Sequence, residues 1–511
     1  MRLPAALVVS ALAGFVGLSY EVLWYRALSY VTGAAPWSFG ALLGAYLLGV
    51  AAASAGARAF CARRPAPARR DVALVAAFVG LANLAAFMVI PVLAALATRG
   101  RWEAALPLLG VAAGLLGAVL PLVAHFAIAP DREAGVRLSY VYVADIVGSA
   151  AGSAVSGYVL LDVLDTRALS VLLAAVGFAL TAAVVAAAGL GRRAALAGVA
   201  LAVLATGATV AAAPLAFDRL WERLALREHD DGSRYARVLE NRHGVIAVSA
   251  DGVVYGGGVY DGAFSTDPLH DRNGIYRAFA VAALHPAPRQ VLLVGLGSGS
   301  WARVLSSLPG VERLTVVEIN PGYLEIIRDE PEVAGLLADP RVEIAVDDGR
   351  RWLARHPERR FDVIVANVTL HWRAHATSLL SREFVELARA HLAEGGVYYF
   401  NTTFFRPARE TALALFANGM QVGTFFAASD APLAWDGARL ERALEETRIG
   451  GRPVVDAGRP EELARARAMG AAAGPPLLRP QPPLRVITDD NMLPEWHGTP
   501  FDLRTEGHVT R

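Results

Sequence analysis

The stretch VLLVGLGSGSWARVLSSLPGVERLTVVEIN, residues 291–320, decides the fold of the C-terminal half of this 511-residue chain. It opens with an apolar run typical of a buried parallel strand, passes through Gly295, Gly297 and Gly299, and continues into a helical pattern. A second β-rich run ends in the acid Glu318. This order is typical of the βαβ half-unit of a nucleotide fold, in which glycines let the backbone approach a ligand and the acid accepts from ribose hydroxyls. The spacing lacks the full dinucleotide fingerprint and favours an adenosyl ligand over NAD, while a plain tight turn is the alternative for the glycines alone.

Strands alternate with helices through the rest of this half, which predicts a parallel, doubly wound, Rossmann-like sheet. A third strand ends at Asp347, Asp348 and Gly349, and a fourth ends at Asn367. Ligands of such sheets bind outside the carboxyl ends of the strands. We therefore expect these residues to converge with Glu318 on one crevice.

The sequence predicts three domains. Residues 1–215 form a membrane domain, residues 216–285 a linker helix with a small antiparallel β-hairpin domain, and residues 286–511 the Rossmann-like domain. Within the last of these, residues 379–396 predict a helix closed by a glycine, and residues 456–484 a mobile loop or insertion. The closing VITDDNMLPEW predicts a short strand whose acids either line the crevice or lie in solvent.

Seven apolar stretches in the first 215 residues are each long enough to cross a bilayer, which takes about 20 residues. They run over residues 4–24, 37–57, 71–98, 103–128, 138–161, 167–190 and 193–215. For the polar residues inside them we expect a Glu21–Arg26 pair at the interface and an Asp145 hydrogen-bonded between helices, in preference to a transport pathway.

Composition excludes several kinds of chemistry. The chain contains no Lys, so a Schiff-base mechanism is excluded, and the single Cys61 excludes an internal disulfide or a cysteine-ligated metal cluster. A net charge of +1 gives no indication of a nucleic-acid partner. The excess of Arg in the even connections between spans puts the C-terminal domain outside the cell. An adenosyl cofactor is kept inside the cell, and we therefore expect a cytoplasmic domain on a multi-pass protein of the bacterial inner membrane.

Several segments resemble the spermidine synthase, or polyamine aminopropyltransferase, family in its bacterial form fused to an N-terminal membrane domain. They are GLSYEVLWYRALS, VADIVGSAAGSAVSGYVLL, GLGSGS, VVEIN, DDGRRWL and the closing TDDN. The resemblance implies a class I methyltransferase-like fold and a cofactor of the S-adenosylmethionine type, normally decarboxylated. It also implies that Glu318 holds the ribose and that Asp347 accepts from the adenine amino group, with Asp348 and Gly349 beside it.

This sequence departs from the family pattern at its acids. The family's Gly-rich motif normally contains an Asp, but Ser298 stands there. Both Asp of the strand-four motif are absent from the matching residues 367–371, and the helix that usually carries Tyr-His-Glu reads Tyr276, Arg277, Ala278. Aminopropyl transfer needs carboxylates to hold cationic amines and to take a proton from the attacking nitrogen. The transferred group and its acceptor are therefore open.

The loop after strand four contains polar residues that could replace the missing acids. His371 is the candidate general base and Asn367 the candidate hydrogen-bonding partner of a neutral group, while Tyr276, Trp372 and Arg373 are candidate substrate contacts, the last suited to an anion. The alternatives are a hydrogen-bonded loop histidine and a tryptophan that plugs the fold. A second histidine follows four residues later, but no third ligand is evident, and we expect no metal.

We therefore expect a membrane-bound, spermidine-synthase-like enzyme that transfers an aminopropyl group from S-adenosylmethionine, in its decarboxylated form, to an amine acceptor such as a polyamine. The alternatives are an S-adenosylmethionine-dependent methyltransferase and a non-catalytic adenosyl-binding regulator of the membrane half. The expected partners are the lipid bilayer and a small-molecule acceptor, without nucleic acid, and a homodimer is left open.

Overall fold

The computed structural model describes residues 2–64, 69–225, 232–367, 370–472 and 474–497. The chain divides into two compact units, Met1–Tyr235 with Leu239–Val245, and Ala236–Val238 with Ile246–Arg511. Residues 226–231 of the predicted linker lie outside the described residues. The small sheet thus falls largely in the same unit as the α/β fold, and the division into three domains stays a prediction.

The first unit is helical. Its helices are α1 (Leu3–Val31), α2 (Trp37–Ala62), α3 (Arg69–Ala97), α4 (Ala105–Gly117), α5 (Val119–Ala127), α6 (Ala134–Val155), α7 (Leu161–Val163), α8 (Thr166–Ala187), α9 (Arg192–Ala216) and α10 (Leu220–Leu224). In the described residues, α4 with α5, and α6 with α7, act as continuous apolar stretches, giving seven helical segments long and apolar enough to cross a membrane. The seven predicted stretches are confirmed as helices of that kind.

Glycines allow two of these helices to pack backbone against backbone. A Cβ atom on Gly148 of α6 would lie 1.8 Å from the carbonyl oxygen of Ala11, and one on Gly152 would lie 2.3 Å from that of Phe15, both on α1. Neither distance is possible for a larger residue without moving a helix, so small side chains set this approach.

The predicted Glu21–Arg26 pair is wrong. Arg26 donates to the carbonyl oxygens of Asn241, at 2.7 Å, and Gly244, at 2.9 Å, and lies 3.6 Å from the Glu240 carboxylate. Five residues along an α-helix correspond to about 140° of rotation, so Glu21 and Arg26 point to different sides of α1. The expected hydrogen bond of the Asp145 side chain is also absent among the described residues.

The second unit contains a small sheet and a large one. Its strands are β1 (Arg237–Asn241, shared between the units), β2 (Gly244–Val248, likewise shared), β3 (Val253–Gly256), β4 (Val259–Ala263), β5 (Gln290–Val294), β6 (Arg313–Glu318), β7 (Val342–Val346), β8 (Phe361–Ala366), β9 (Leu392–Asn401), β10 (Asn418–Val422), β11 (Phe425–Ser429), β12 (Arg448–Ile449), β13 (Arg452–Pro453) and β14 (Leu477–Leu478). Its helices are α11 (Tyr276–Leu284), α12 (Ser300–Ser307), α13 (Gly322–Arg328), α14 (Gly349–Arg355), α15 (Thr377–Leu380), α16 (Arg382–Ala390), α17 (Arg406–Leu413), α18 (Gly437–Glu446), α19 (Pro460–Ala471) and α20 (Leu493–His497).

The two sheets confirm the predicted fold class. The small sheet has the order β1-β2-β3-β4, with β3 antiparallel to both of its neighbours. The large sheet has the order β14-β10-β11-β9-β8-β5-β6-β7, in which the five strands from β9 to β7 are parallel and β11 runs against β9 and β10. This is a Rossmann-like, doubly wound sheet, with an antiparallel edge that the alternating pattern did not reveal.

The strand register brings the predicted ligand-binding ends together. Val294, the last residue of β5, is level with Val317 of β6 on one side and Ala366 of β8 on the other, and Glu318 is level with Val346 of β7. The segments that follow these strands therefore leave the sheet at one edge. In open α/β sheets, ligands bind at this edge, outside the carboxyl ends of the strands.

Three local predictions are wrong. Residues 379–396 do not form one helix. Ser381 caps α16 by accepting from the Phe384 N–H, and β9 already begins at Leu392. Gly395 therefore lies inside a strand, with a φ of 75°, where the pairing of β9 with β8 shifts register. Residues 456–484 are not a loop throughout, because they contain helix α19, and their being an insertion stays a prediction. The closing segment forms no strand, and its Asp489 is ion-paired with Arg350 at 2.6 Å.

Candidate cofactor and acceptor site

The glycine-rich loop joins β5 to α12 in a shape that requires glycine. Gly295 and Gly297 have φ values of 91° and 53°, a region that L side chains rarely adopt. A Cβ on Gly295 would lie 2.8 Å from the carbonyl oxygen of Asn367, and one on Gly297 would lie 2.7 Å from that of Asp261. Backbone from β4 and from the residue after β8 thus lies directly against the loop.

Glu318, at the end of β6, is tied to this loop. One carboxylate oxygen accepts from the N–H of Leu296 at 2.7 Å, and the other accepts from that of Asn320 at 2.8 Å. The side chain is buried, and burial raises the pKa of Glu318 to about 7 although both N–H donors act to lower it. Each carboxylate oxygen has a further lone pair, so the group has capacity for the two hydroxyls of a ribose.

Asp347 and Asp348 follow β7, beside Glu318. The Asp347 N–H donates to the Glu318 carbonyl at 3.1 Å, which fixes the two strand ends next to each other. Burial acts to raise the pKa of Asp347, but the hydrogen bond from Arg351 and the Asp348 N–H, with the charge of Arg355 nearby, hold it below its usual value. Asp348 caps α14 by accepting from the Arg351 N–H at 2.8 Å.

Gly349, the first residue of α14, also has a packing reason to be glycine. A Cβ there would lie 2.5 Å from a methyl group of Val294, at the end of β5. The predicted cofactor residues therefore lie along one continuous edge of the sheet, from the loop after β5 to the start of α14.

Asp261 and Tyr323 belong to this site and were missed by sequence reasoning. The Tyr323 hydroxyl, on α13, donates a short hydrogen bond to Asp261, on β4. Burial raises the pKa of Asp261, while the bond from Tyr323 and the charge of Arg373 act to lower it. The Asp261 charge in turn acts to raise the pKa of Glu318, which places the two carboxylates near each other. The only signal in the sequence was the position of Asp261 in the second hairpin.

Arg373, from the segment after β8, and Ser298, from the glycine-rich loop, both lie close to the small sheet. Arg373 is held near the turn between β3 and β4, since its terminal nitrogen lies 2.7 Å from where a Cβ on Gly257 would be. Burial lowers the pKa of its guanidinium, and Asp261 acts to raise it. Ser298 is buried, and its hydroxyl oxygen lies 2.8 Å from the Cβ position of Gly262.

His371 packs against Thr403 and Phe405, which lie after β9. Its Nδ1 is 2.5 Å from the hydroxyl of Thr403, and its ring stacks on Phe405 at 4.3 Å between centroids. Trp372 is buried, and its indole N–H has no hydrogen-bond acceptor among the described residues. Val368 and Thr369, between Asn367 and this turn, lie outside the described residues. The roles predicted for Asn367, His371 and Trp372 stay predictions.

Tyr276 and Arg277, at the start of α11, face the turn between β10 and β11. The Tyr276 hydroxyl lies 2.6 Å from where a Cβ on Gly423 would be. Arg277 donates to the carbonyl of Gly274 at 2.7 Å and to the hydroxyl of Thr424, and its guanidinium lies over the Phe425 ring at 5.2 Å. The Arg277 guanidinium is thus held by the backbone of Gly274, by Thr424 and by the Phe425 ring.

Comparison with known proteins relates this site to one family. Residues 278–427 match the family model of the spermine/spermidine synthase domain. A polyamine aminopropyltransferase of Streptococcus pneumoniae is 35% identical over 126 residues, which are 24% of this chain and 43% of that protein. One from Aeropyrum pernix is 28% identical over 183 residues, 35% of this chain and 57% of that protein. The chain thus spans about half the length of these curated relatives.

Among solved structures, a spermidine synthase in complex with the transition-state analogue AdoDATO aligns with 45% of this chain and 81% of its own, at 20% identity and a TM-score of 0.35. The match of residues 278–427 includes the glycine-rich loop, Glu318 and the strand ends that form the site. Through this segment the chain is similar to the spermine/spermidine synthase domain.

Proposed function

We propose that the chain is a membrane-bound aminopropyltransferase that uses decarboxylated S-adenosylmethionine and alkylates an amine acceptor. The observation that carries the proposal is the bonding of Glu318 to the glycine-rich loop, inside the segment that matches the synthase domain. The relatives named polyamine aminopropyltransferases support the transferred group.

The residues present fit an adenosyl group. Glu318 offers acceptor capacity for the ribose, and the carboxylate of Asp347, at the next strand end, offers an acceptor for the adenine amino group. The glycines leave room for a ligand to approach the backbone, because they carry no side chain on the loop. Arg351 and Arg355 keep Asp347 ionised, which suits an acceptor role.

When bound, the cofactor supplies a carbon activated by the adjacent sulfonium. The acceptor nitrogen forms a bond to that carbon, the carbon–sulfur bond breaks, 5′-methylthioadenosine leaves, and a proton leaves the nitrogen. His371 is the proposed base for that proton, positioned by Thr403, and Asn367 the proposed hydrogen-bonding partner. Holding the acceptor and the activated carbon together supplies part of the rate.

The test is the product formed by the full-length protein in lipid nanodiscs. Decarboxylated and ordinary S-adenosylmethionine are each offered with putrescine, spermidine or phosphatidylethanolamine, and the product mass is measured. We expect a gain of one aminopropyl unit from the decarboxylated cofactor, and no product from Glu318→Ala. A wild-type protein that makes no aminopropylated product from any acceptor would contradict the proposal.

A methyltransferase is the second candidate, and one observation favours it. Ordinary S-adenosylmethionine carries a carboxylate, and the buried guanidinium of Arg373 is a suitable partner for such an anion. In the same assay this function gives a product heavier by one methyl group, formed from the ordinary cofactor only.

The proposed location is a membrane. Seven helical segments of the described chain are long and apolar enough to cross one, and their outer faces carry large apolar side chains such as Leu48, Tyr158 and Leu204. Such exposure suits contact with lipid. Carbonate extraction of bacterial membranes tests it, with recovery in the pellet expected and release into the supernatant contradicting it. The cytoplasmic side proposed for the second unit is tested separately by protease protection in inverted vesicles.

A further inference from the structure

The proposed cofactor carries an ammonium group at the end of its aminopropyl arm, in addition to the sulfonium. A buried cation of this kind needs a carboxylate partner. At the position where the family's glycine-rich motif normally has an Asp, this loop offers only the hydroxyl of Ser298. We propose that Asp261, from the small sheet, is the carboxylate that binds this ammonium group and so selects the cofactor. This inference rests on the proposed function.

The main chain at Asp261 lies on the glycine-rich loop. Its carbonyl oxygen is 2.7 Å and its carboxyl carbon 3.9 Å from the Cβ position of Gly297. The next residue, Gly262, is equally close to Ser298, whose hydroxyl oxygen lies 2.8 Å from the Gly262 Cβ position. A strand from another sheet thus places a carboxylate beside the loop position that lacks one.

One Asp261 oxygen accepts the Tyr323 hydroxyl, and the other accepts no hydrogen bond from a described residue. The Asp261 side chain is half-buried, and burial raises its pKa, while the hydrogen bond from Tyr323 and the charge of Arg373 act to lower it. Tyr323 therefore fixes the carboxylate in one orientation and leaves an oxygen with acceptor capacity. A half-buried carboxylate with a free acceptor oxygen gains from a cationic ligand, because charge-assisted hydrogen bonds are stronger than neutral ones.

The order of the strands gives the direction of the cofactor arm. Asp347 follows β7, Glu318 follows β6, and the glycine-rich loop follows β5, which are successive strands of the sheet. An adenosyl group with adenine at Asp347 and ribose at Glu318 directs its sulfur towards the loop after β5. Asp261 lies over that loop and is close enough to Glu318 for its charge to affect it.

The test compares a ligand that carries both the aminopropyl arm and the sulfonium charge with one that lacks both. Binding of 5′-methylthioadenosine, which has no ammonium group, and of decarboxylated S-adenosylmethionine is measured by calorimetry on the full-length protein in nanodiscs. We expect Asp261→Asn to weaken the decarboxylated cofactor at least tenfold and to leave 5′-methylthioadenosine within twofold. Asp251→Asn, which changes an exposed acid of the same unit, is the matched control and should change neither affinity.

A second variant separates the carboxylate from the local fold. Adding Ser298→Asp to Asp261→Asn returns a carboxylate to the same region, and we expect preference for the decarboxylated cofactor to recover. Two results for Asp261→Asn would overturn the inference. An equal loss of affinity for both ligands would mean that the residue acts through packing, and no loss of affinity would mean that it does not contribute to binding. A wild-type protein that binds neither ligand would instead overturn the proposed function.

Discussion

Glu318 should make nucleoside binding depend on pH, and Glu318→Gln should remove that dependence. Burial raises the pKa of Glu318 from its ordinary 4.5 to about 7. The proton is therefore held more tightly in the folded chain, and stability falls as pH rises from about 4.5 through 7, by about 3 kcal/mol at the upper end. Ribose hydroxyls donate to the ionised carboxylate, so a bound nucleoside offsets part of this cost.

The size of the effect follows from the fraction ionised. With a pKa near 7, roughly a tenth of the unliganded protein is ionised at pH 6 and roughly nine tenths at pH 8, so the apparent affinity should rise about tenfold between these values. Calorimetry with 5′-methylthioadenosine on the full-length protein in nanodiscs measures it. Glutamine cannot ionise and also presents an N–H₂ group to a backbone N–H, so the variant should bind weakly at every pH.

Two results would refute this reasoning. One is a wild-type affinity that is constant between pH 6 and pH 8, which would mean that the Glu318 carboxylate is already ionised or does not contact the ligand. The other is a Glu318→Gln variant that retains the same rise, which would assign the titration to a different group. Asp261, whose pKa is also raised by burial, would then be the first group to replace.

Three further outcomes are expected. Gly297→Ala should lower the free energy of unfolding by about 2 kcal/mol more than Gly450→Ala. Both positions have φ near 55°, but only a Cβ at position 297 would lie against backbone. Thermal unfolding with and without nucleoside measures the difference. His371→Ala should lower kcat at least about 100-fold and flatten the acid limb of the pH–rate profile, and full turnover would remove it as the base. Glu240→Ala should cost about 3 kcal/mol, because it removes a partner of a buried guanidinium, whereas the exposed Glu133→Ala should cost less than about 0.5 kcal/mol, and equal losses would contradict this.

The membrane-type helices and the parallel core of the sheet could be predicted from local sequence. Seven long apolar stretches fixed seven helices because apolar length is a property of consecutive residues. The alternation of strands and helices fixed the parallel core, and the crevice rule placed Glu318 and Asp347 at adjacent strand ends. The antiparallel β11 and the early start of β9 were missed, since strand direction and the end of a helix at Ser381 depend on neighbours distant in sequence.

By itself the sequence determined the helical first unit, the Rossmann-like core and the position of Glu318 and Asp347 at adjacent strand ends, because each follows from a period or a motif within about 30 residues. Only the tertiary structure decided that Arg26 faces Glu240 rather than Glu21, and that His371 stacks on Phe405. It alone brought Asp261 and Tyr323 together from elements 62 residues apart. Contacts of this kind depend on how sheets and helices pack, and packing brings together residues that no local pattern relates.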